Sequence, residues 1–411
     1  MQLAERYLMD AVPRKDTIAF ISTYDHPSRD SIEQTIRDAF PTYRFESISV
    51  VDLLKTDRRW RLPNLYYLAS EYGAKITLRN ATIRDSYYRT SYLYHRVRST
   101  MADIISPQRH AFSFQVQSLF DTSVPDVPHF VYTDHTHLSN LGYSFFDPRK
   151  LRPRRWLRLE KMIYQNAARI FTRSHNITAD LIEHYAVSPG KIACVYAGAN
   201  VPVESNYQVA NNNYANKRIL FIGNDWVRKG GPILAAAFKE VLRIHPGAHL
   251  TIVGASPDVN VPNCTVLGQL SLAELSGLFA QSAIFCLPTR VEPFGVAILD
   301  AMLHRLPVVA TSVGAIPAMI QEGVCGHLVT PGDPQQLART LIDLIGDPGR
   351  CRRFGEAGFK LANARYRWPL VGARFRSEIL SFFANSAPTH LPCAAFSTEA
   401  AINHSVSNKT R

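Results

Sequence analysis

The chain has 411 residues, of which 46% are hydrophobic and 19% charged, a composition typical of folded globular proteins that excludes a wholly disordered chain. This length exceeds what one ordinary hydrophobic core accommodates, so we predict two domains. Forty-six lysine and arginine residues against 34 acidic ones give a net charge of +12, which favours an anionic partner such as a nucleotide or a phospholipid head group.

The sequence predicts neither a membrane span nor a disulfide framework. No run approaches the roughly 18 apolar residues that a spanning helix needs, and the N-terminal segment lacks the apolar core of a signal peptide. Six cysteines are scattered without a Cys-x-x-Cys pair, which is typical of reduced thiols. We therefore expect a cytoplasmic protein.

Short apolar, β-branched runs separated by helical patterns characterise the first half. They lie at 17–24, 129–134, 168–174 and 191–198. Parallel strands buried on both faces have this composition. The Asn-rich stretch 206–217 has no apolar periodicity, so we predict that it links a first domain, 1–205, to a second.

A basic segment, PRKLRPRRWLRLEK at 148–161, lies in this first domain. Seven basic residues surround Trp156 and three leucines. The segment is either a solvated helix face or an interfacial surface that docks on the inner face of an anionic membrane with Trp156 at head-group level. No nucleic-acid-binding motif accompanies the charge, so we expect no nucleic acid partner.

Strands and helices alternate regularly after the linker. Strands are predicted at 218–223, 249–254, 283–288 and 306–311, and helices at 231–244, 272–282 and 295–303. This alternation predicts a doubly wound parallel sheet, whose ligands bind at the carboxyl ends of the strands. The second domain is placed at 218–365, and the tail 384–411 has no periodicity and is predicted to be disordered.

Glu292 and Asp300 lie eight residues apart across the start of a predicted helix. The backbone N–H groups of Phe294, Gly295 and Val296 lie between them at the positive end of the helix dipole. Carboxylates accept hydrogen bonds from hydroxyl groups, whereas helix N-termini bind phosphates. This layout suits a sugar, a diphosphate and a ribose.

Arg228 and Lys229 supply cations for that diphosphate. They follow the first strand of the second domain, which ends at Gly223 and Asn224. Arginine binds phosphate as a fork and lysine as a point charge. Either residue pair alone is common on protein surfaces, but their order along one predicted sheet is specific.

These segments resemble glycosyltransferase family 4, a retaining family with the GT-B architecture. RILFIGNDWVRKGG at 218–231 and LPTRVEPFGVAILDAMLHRLPVVAT at 287–311 carry the resemblance, which extends over 218–346. It implies an α/β fold with two Rossmann-like domains that face each other across a cleft, and a helix at 366–383 that returns to the first domain. It also implies a nucleotide-sugar co-substrate and no cofactor or metal, in keeping with the lack of an Asp-x-Asp motif.

The resemblance also assigns roles to residues. Glu292 would contact the donor sugar, Asp300 the ribose, and the pair Arg228 and Lys229 the phosphates during catalysis. The donor would also contact the loops around them, namely Pro293, Phe294, Gly295, Val296, Gly223 and Asn224. Three positions depart from the family pattern: Asp300 replaces Glu, Arg305 replaces Gly, and Ala318 replaces an acidic residue.

The first domain matches the family less well. His135 and His137 follow a predicted strand, and one of them is expected to face the cleft near the transferred sugar; we take His135 as the catalytic candidate. Arg173 follows the next strand, beside a serine that the family often has there, and is a candidate for donor binding. Buried structural roles are the commoner explanation for such histidines.

The predicted function is retaining, metal-independent hexosyl transfer from a nucleotide-sugar to a hydroxyl acceptor. The basic segment favours a lipid-linked or polysaccharide intermediate as that acceptor. Two alternatives stay open: an isomerase of the same architecture, such as a nucleotide-sugar 2-epimerase, and a non-catalytic nucleotide-sugar-binding protein. Donor turnover separates the enzymes from the binding protein.

Overall fold

The computed structural model describes residues 15–24, 28–203 and 213–386. Within these ranges the chain forms two six-stranded sheets, and every strand pair in them is parallel. Helices cover both sheets, which confirms the α/β class with two Rossmann-like halves. The predicted tail beyond Ser386 lies outside the described residues.

The first sheet has the strand order β2-β1-β3-β4-β5-β6. Its strands are β1 (Thr17–Ser22), β2 (Arg44–Ser49), β3 (His110–Val116), β4 (His129–Thr133), β5 (Arg169–Thr172) and β6 (Ile192–Cys194). Its helices are α1 (Arg29–Ala39), α2 (Val50–Thr56), α3 (Arg61–Thr77), α4 (Ile83–Ser86), α5 (Ser91–Ile104), α6 (Arg154–Asn166) and α7 (His175–Glu183). The strand order reverses between β1 and β3, so the loops after these strands open a crevice.

The second sheet has the strand order β12-β11-β10-β7-β8-β9. Its strands are β7 (Arg218–Gly223), β8 (His249–Gly254), β9 (Cys264–Val266), β10 (Ile284–Leu287), β11 (Val308–Thr311) and β12 (Gly326–Val329). Its helices are α8 (Gly231–Ile244), α9 (Leu272–Gln281), α10 (Val296–Leu303), α11 (Ile316–Met319), α12 (Pro334–Ile345) and α13 (Pro348–Arg365). The order reverses between β7 and β10, which makes their carboxyl ends the expected ligand site.

The last described helix, α14 (Trp368–Ser386), packs on the first sheet rather than the second. The Phe375 ring stands edge-on to Phe114, Tyr132 and Phe171, with centroid separations of 5.1, 5.0 and 5.1 Å. Such aromatic contacts stabilise beyond their buried area. The helix runs three residues past the predicted end at 383, and it ties the C-terminal part of the chain to the first half.

The last residues of the predicted linker contribute to the core of the second half. Residues 204–212 lie outside the described part, but a 3₁₀ turn follows at Asn213–Asn216. Tyr214 in this turn is buried, and its hydroxyl donates a hydrogen bond of 2.9 Å to the Arg305 carbonyl. The end of the stretch therefore belongs to the second half.

Helix α13 approaches the turn after α10 at backbone contact distance. A Cβ atom on Gly355 would lie 1.9 Å from the Arg305 carbonyl oxygen. Arg305 has a φ of +57°, which is costly for a residue with a Cβ. An ion pair with Glu356 and stacking of its guanidinium over the Phe359 ring, 3.9 Å away, hold it there. This stacking and pairing account for an arginine where the family pattern has glycine.

We predict that Gly355→Ala lowers the free energy of unfolding by about 1–3 kcal/mol, because the new methyl group must push the Arg305 backbone away. Gly277→Ala is the matched control. Gly277 lies in the exposed interior of α9 with open space around it, so this change should raise stability by up to about 1 kcal/mol. Urea unfolding of both variants measures the difference, and equal stability of the two would contradict the close approach.

Candidate functional site

An ion pair lies at the point where the second sheet reverses its strand order. Lys229 in the loop after β7 contacts the carboxylate of Glu292 in the loop after β10 through its Nζ atom. Both side chains are largely buried. The structure therefore brings together the predicted sugar-binding carboxylate and one of the two predicted phosphate-binding cations.

Hydrogen bonds between the two loops keep this pair in place. The Arg290 N–H donates to the Arg228 carbonyl at 2.8 Å, and Arg228 Nη1 donates to the Val291 carbonyl at 3.0 Å. The hydroxyl of Thr311, at the end of β11, donates to the Thr289 carbonyl at 2.6 Å. Arg228 thus acts as a brace inside its own loop pair, and its Nε also lies 3.4 Å from Asp225.

Glycines permit the tight approach of these loops. Gly230 has a φ of +81°, and a Cβ there would lie 1.8 Å from the Pro288 carbonyl oxygen. Gly295, with a φ of +104°, immediately precedes α10. Both values are readily adopted by glycine and rarely by other residues. The turn at Gly295 starts the helix directly after Glu292-Pro293-Phe294.

The start of α10 offers unused hydrogen-bond donors. Among the described residues, no acceptor takes the N–H groups of Phe294, Gly295 or Val296. The first N–H groups of a helix have no acceptor within that helix and carry partial positive charge. Next to Lys229, they form a setting in which an anion would be stabilised.

Asp300 lies inside α10 and faces the connection between the two halves. Its Oδ1 accepts the N–H groups of Asn200 and Val201 at 2.7 and 2.9 Å. Its Oδ2 accepts no hydrogen bond from any described residue, which leaves an acceptor that a ribose hydroxyl could use. Burial raises the pKa of Asp300 from 3.8 to about 7, and the two backbone hydrogen bonds partly oppose this rise.

The other predicted donor contacts lie at the same sheet edge. Gly223 ends β7, Asn224 after it is exposed, and Pro293 is partly buried between Glu292 and the buried Phe294. They lie in the two loops that carry Lys229 and Glu292. Arg173 does not join them.

Arg173 is buried in the first half at the end of β5. Its Nη1 lies 3.2 Å from Asp134 Oδ2, and its guanidinium carbon lies 5.0 Å from the centroid of the Tyr132 ring. Its Nε and Nη2 atoms have no hydrogen-bond partner among the residues that the structure describes. Arg173 is therefore a buried arginine of the first half, and its contact with the donor stays a prediction.

His135 lies in the loop after β4, and its own loop engages both ring nitrogens. Ser139 Oγ is 2.9 Å from Nδ1, and the Asn140 amide donates to Nε2 at 3.0 Å. Burial lowers the pKa of this histidine. A cavity of about 120 Å³ adjoins the loop, and its lining includes His135, Tyr24, Arg89, Gln117, Trp156 and Glu160.

His137 is a structural residue of the same loop. Its Nε2 accepts the Arg152 N–H at 2.8 Å, and its own N–H donates to Glu160 Oε1 at 2.8 Å. Burial and then the charge of Arg152 lower the pKa of His137 to about 3. Burial raises the pKa of Glu160 to about 7. His137 lines the same cavity as His135, so His135 as the catalytic histidine stays a prediction.

Tyr143 is a residue of the site that the sequence reasoning missed. It belongs to the first half but is buried in the core of the second. A Cβ built on Gly314 would lie 3.2 Å from the Tyr143 hydroxyl and 1.9 Å from the Glu292 carbonyl oxygen. Burial, followed by the charge of Glu292, raises the pKa of Tyr143. The cluster YSFF at 143–146, three aromatic residues in four, was the available signal.

None of the helices in the described ranges is long and apolar enough to cross a membrane. In the same ranges, no group of three or more His, Cys, Asp or Glu side chains is placed to hold a metal ion.

Two family models match the chain. Residues 51–201 match the model described as Glycosyltransferase Family 4, and residues 216–347 match the model described as Glycosyl transferases group 1. Together the two stretches cover about two thirds of the chain. The second stretch contains the Lys229–Glu292 pair and Asp300.

Curated proteins similar to this chain include actinobacterial sugar transferases. An MMP alpha-(1->4)-mannosyltransferase of Mycolicibacterium hassiacum is 27% identical over 55% of this chain and 58% of its own length. A D-inositol 3-phosphate glycosyltransferase of Segniliparus rotundus is 25% identical over 58% of each chain. A phosphatidyl-myo-inositol mannosyltransferase of Mycobacterium leprae is 30% identical over 43% of this chain and 50% of its own length. The chain thus spans between half and three fifths of these relatives' length.

Solved structures share the fold over most of the chain. A sucrose-phosphate synthase from Thermosynechococcus elongatus superposes with a TM-score of 0.66 at 16% identity, covering 90% of this chain and all of the other. HepE from Anabaena, in complex with UDP, superposes with a TM-score of 0.62 at 16% identity over 89% of this chain and all of the other. The likeness at this identity concerns the fold. With both halves matched by family models and arranged as two facing Rossmann-like domains, the chain belongs to glycosyltransferase family 4 and has the GT-B fold.

Proposed function

We propose that this protein is a retaining, metal-independent glycosyltransferase that moves a hexosyl group from a nucleotide-sugar to a hydroxyl acceptor. The observation that carries the proposal is the Lys229–Glu292 pair at the switch point of the second sheet, beside the unused N–H groups at the start of α10. A cation, a carboxylate and a helix N-terminus suit the three parts of a nucleotide-sugar that need recognition.

In the proposed reaction the bond between the anomeric carbon and the phosphate oxygen breaks. The acceptor oxygen forms its bond to that carbon on the same face, and the acceptor proton passes to the departing phosphate. Negative charge grows on the diphosphate as the bond breaks. Lys229, Arg228 and the α10 N–H groups are the nearby groups that would stabilise it. Glu292 would accept hydrogen bonds from the sugar hydroxyls.

Metal independence and the lack of a cofactor are part of the proposal. In many transferases a divalent cation neutralises the diphosphate, and here the two basic side chains and the helix N-terminus would perform that task. The nucleotide-sugar itself is the only co-substrate required. Asp300 Oδ2 would accept a hydrogen bond from a ribose hydroxyl, while Oδ1 would keep its hydrogen bonds from the two backbone N–H groups.

We propose a lipid-linked or polysaccharide intermediate as the acceptor. The mannosyltransferase of Mycobacterium leprae is named for phosphatidyl-myo-inositol, and the glycosyltransferase of Segniliparus rotundus is named for D-inositol 3-phosphate. Both names contain a phosphate-bearing molecule with hydroxyl groups. The cavity beside His135 combines polar and aromatic side chains, as carbohydrate recognition requires. His135, whose pKa is lowered, would act there as a neutral group that exchanges its contact with Ser139 or Asn140 for one with the acceptor.

Two measurements test the proposed transfer: thermal unfolding and product analysis. Both use UDP-, GDP- and ADP-sugars without added metal. We expect one donor to raise the Tm by several degrees when present far above its Kd. Lys229→Met should abolish most of that rise and lower the transfer rate about a hundredfold or more, because the diphosphate loses a charge partner. Lys239→Met, an exposed position on α8, removes the same charge and should change neither quantity.

The outcomes separate the three function classes. A sugar appearing on an added acceptor supports transfer, and an altered sugar still attached to its nucleotide would indicate an isomerase. A Tm rise without turnover would indicate a binding protein. No Tm rise with any donor would contradict the proposed site.

The buried carboxyl of Asp300 predicts a pH-dependent stability. Its pKa in the folded protein, about 7, lies above the ordinary value of 3.8, so the folded state binds the proton more tightly than the unfolded state. Stability from this group is therefore lost as pH rises from about 4 to about 7. Asp300→Asn does not titrate. We expect the unfolding free energy of this variant, minus that of wild type, to increase between about pH 5 and pH 7 and to level off above it.

Urea unfolding across this pH range measures the difference. Asp343→Asn, at an exposed position on α12, is the control and should differ from wild type by a constant amount. A flat difference for both variants would show that Asp300 is ionised throughout and would remove the proposed burial effect.

A further inference from the structure

The first half exposes large apolar side chains over one short stretch. Six of the 16 large hydrophobic residues that are exposed in the described ranges lie between positions 62 and 88. They are Leu62, Leu65, Tyr66, Leu78, Ile83 and Tyr88. Scattered exposed apolar residues are normal, whereas apolar residues that share one helix face, as Leu62, Leu65 and Tyr66 do on α3, form a patch of the kind that marks an interaction surface. We call the exposed side of 58–89 the α3–α4 surface.

The helix α3 is oriented so that an apolar face points to solvent. Leu62 and Tyr66 are 80% and 72% exposed, and Leu65 lies between them on the same face by helical spacing. The opposite face is formed by Asn64, Leu68 and Tyr72, which are buried. The core of the first half is therefore complete without the outer face, which is free to contact something else.

Positive charge surrounds these apolar side chains. The stretch 58–89 contains seven basic residues against two acidic ones. None of Arg58, Arg59, Arg61, Arg79 and Arg84 forms an ion pair with another residue in the described part of the chain. Glu71, one of the two acids, is already engaged by Ser91 and Arg155. The charge is therefore available to an anionic partner.

The basic segment 148–161 adjoins this surface. Lys75 Nζ donates to the Arg149 carbonyl at 2.9 Å, and Arg155 Nη1 lies 3.5 Å from Glu71 on α3. Arg154, Arg155 and Arg158 are exposed. The expectation that Trp156 sits at head-group level is wrong, because Trp156 and Leu159 are buried in the core beneath α6. The segment contributes charge, and α3 contributes the apolar side chains.

We propose that the α3–α4 surface docks on an anionic lipid bilayer, with Leu62, Leu65 and Tyr66 entering the head-group region. An interfacial helix combines such an apolar face with flanking basic residues, and each basic residue near the surface adds attraction to anionic lipids. A helix of 17 residues is about 25 Å long and lies in the plane of the interface.

The α3–α4 stretch ends beside the cavity next to His135. Arg89 lines that cavity, and its carbonyl accepts a hydrogen bond of 2.7 Å from the Tyr72 hydroxyl on the buried face of α3. A lipid-linked acceptor held in the bilayer would reach the cavity past Arg89. This step rests on the proposed function, whereas the docking itself does not.

Co-sedimentation of the full chain with vesicles tests the docking. Wild type should bind vesicles of phosphatidylcholine with phosphatidylglycerol and not vesicles of phosphatidylcholine alone. Replacing Arg58, Arg59 and Arg61 by Gln should lower the partition coefficient about a hundredfold. The control replaces Lys239, Arg339 and Lys360, exposed basic residues of the second half, and should leave binding unchanged.

A second variant pair tests the apolar contribution. Leu62→Ser combined with Tyr66→Ser should lower binding at least tenfold. Ile244→Ser at the end of α8, where the isoleucine is 61% exposed, should not. Equal binding to both vesicle types, or loss of binding only in the controls, would overturn the proposal. Donor-induced stabilisation, measured on the same variants, reports the proposed function separately, so either can fail alone.

Discussion

The candidate site depends on the ion pair between Lys229 and Glu292. Taking two charges out of water costs free energy, and a buried pair often contributes little net stability. Removing one partner is worse, because the other is left buried and uncompensated. In our account the pair keeps both charges available without a ligand, and a diphosphate replaces Glu292 as the partner of Lys229. The cross-loop hydrogen bonds around Arg228 and the tight turns at Gly230 and Gly295 keep the two loops in position for that exchange.

A few contacts connect the two halves of the chain. Asp300 holds the backbone at Asn200 and Val201, Tyr143 enters the second core, and α14 returns to the first sheet. Because Asp300 would also offer its second oxygen to the ribose, donor binding and the connection between the halves share one side chain. An aspartate in place of the family's glutamate suits this double contact, since its shorter side chain keeps the helix close to the connecting backbone. The loop after β4, where we propose that the acceptor binds, is anchored by hydrogen bonds to Glu160 and Asp180.

Periodicity predicted most of the second half. The helix at 231–244 and the strands at 218–223 and 249–254 have the predicted bounds, because their apolar residues follow the periods of a buried strand and an amphipathic helix. β3 was missed since it carries His110, Ser113 and Gln115, whose polar groups find partners inside the fold. Trp156 was expected at a membrane surface and is buried instead. An amphipathic pattern predicts that a helix has two different faces, but it does not show which face packs against the core. The motif pointed to Glu292, Lys229 and Asp300. Contacts between residues 100 or more positions apart, such as Asn200 with Asp300 and Tyr143 beside Glu292, leave no local pattern in the sequence.

The most direct test is a crystal structure of the protein with the nucleotide-sugar that stabilises it. We expect the diphosphate to lie within hydrogen-bonding distance of Lys229 Nζ and of the N–H groups at the start of α10. We also expect Glu292 to have moved from Lys229 to the sugar hydroxyls, with a ribose hydroxyl on Asp300 Oδ2. A nucleotide bound in the first half, or a diphosphate with the Lys229–Glu292 pair still closed, would contradict the proposed donor site.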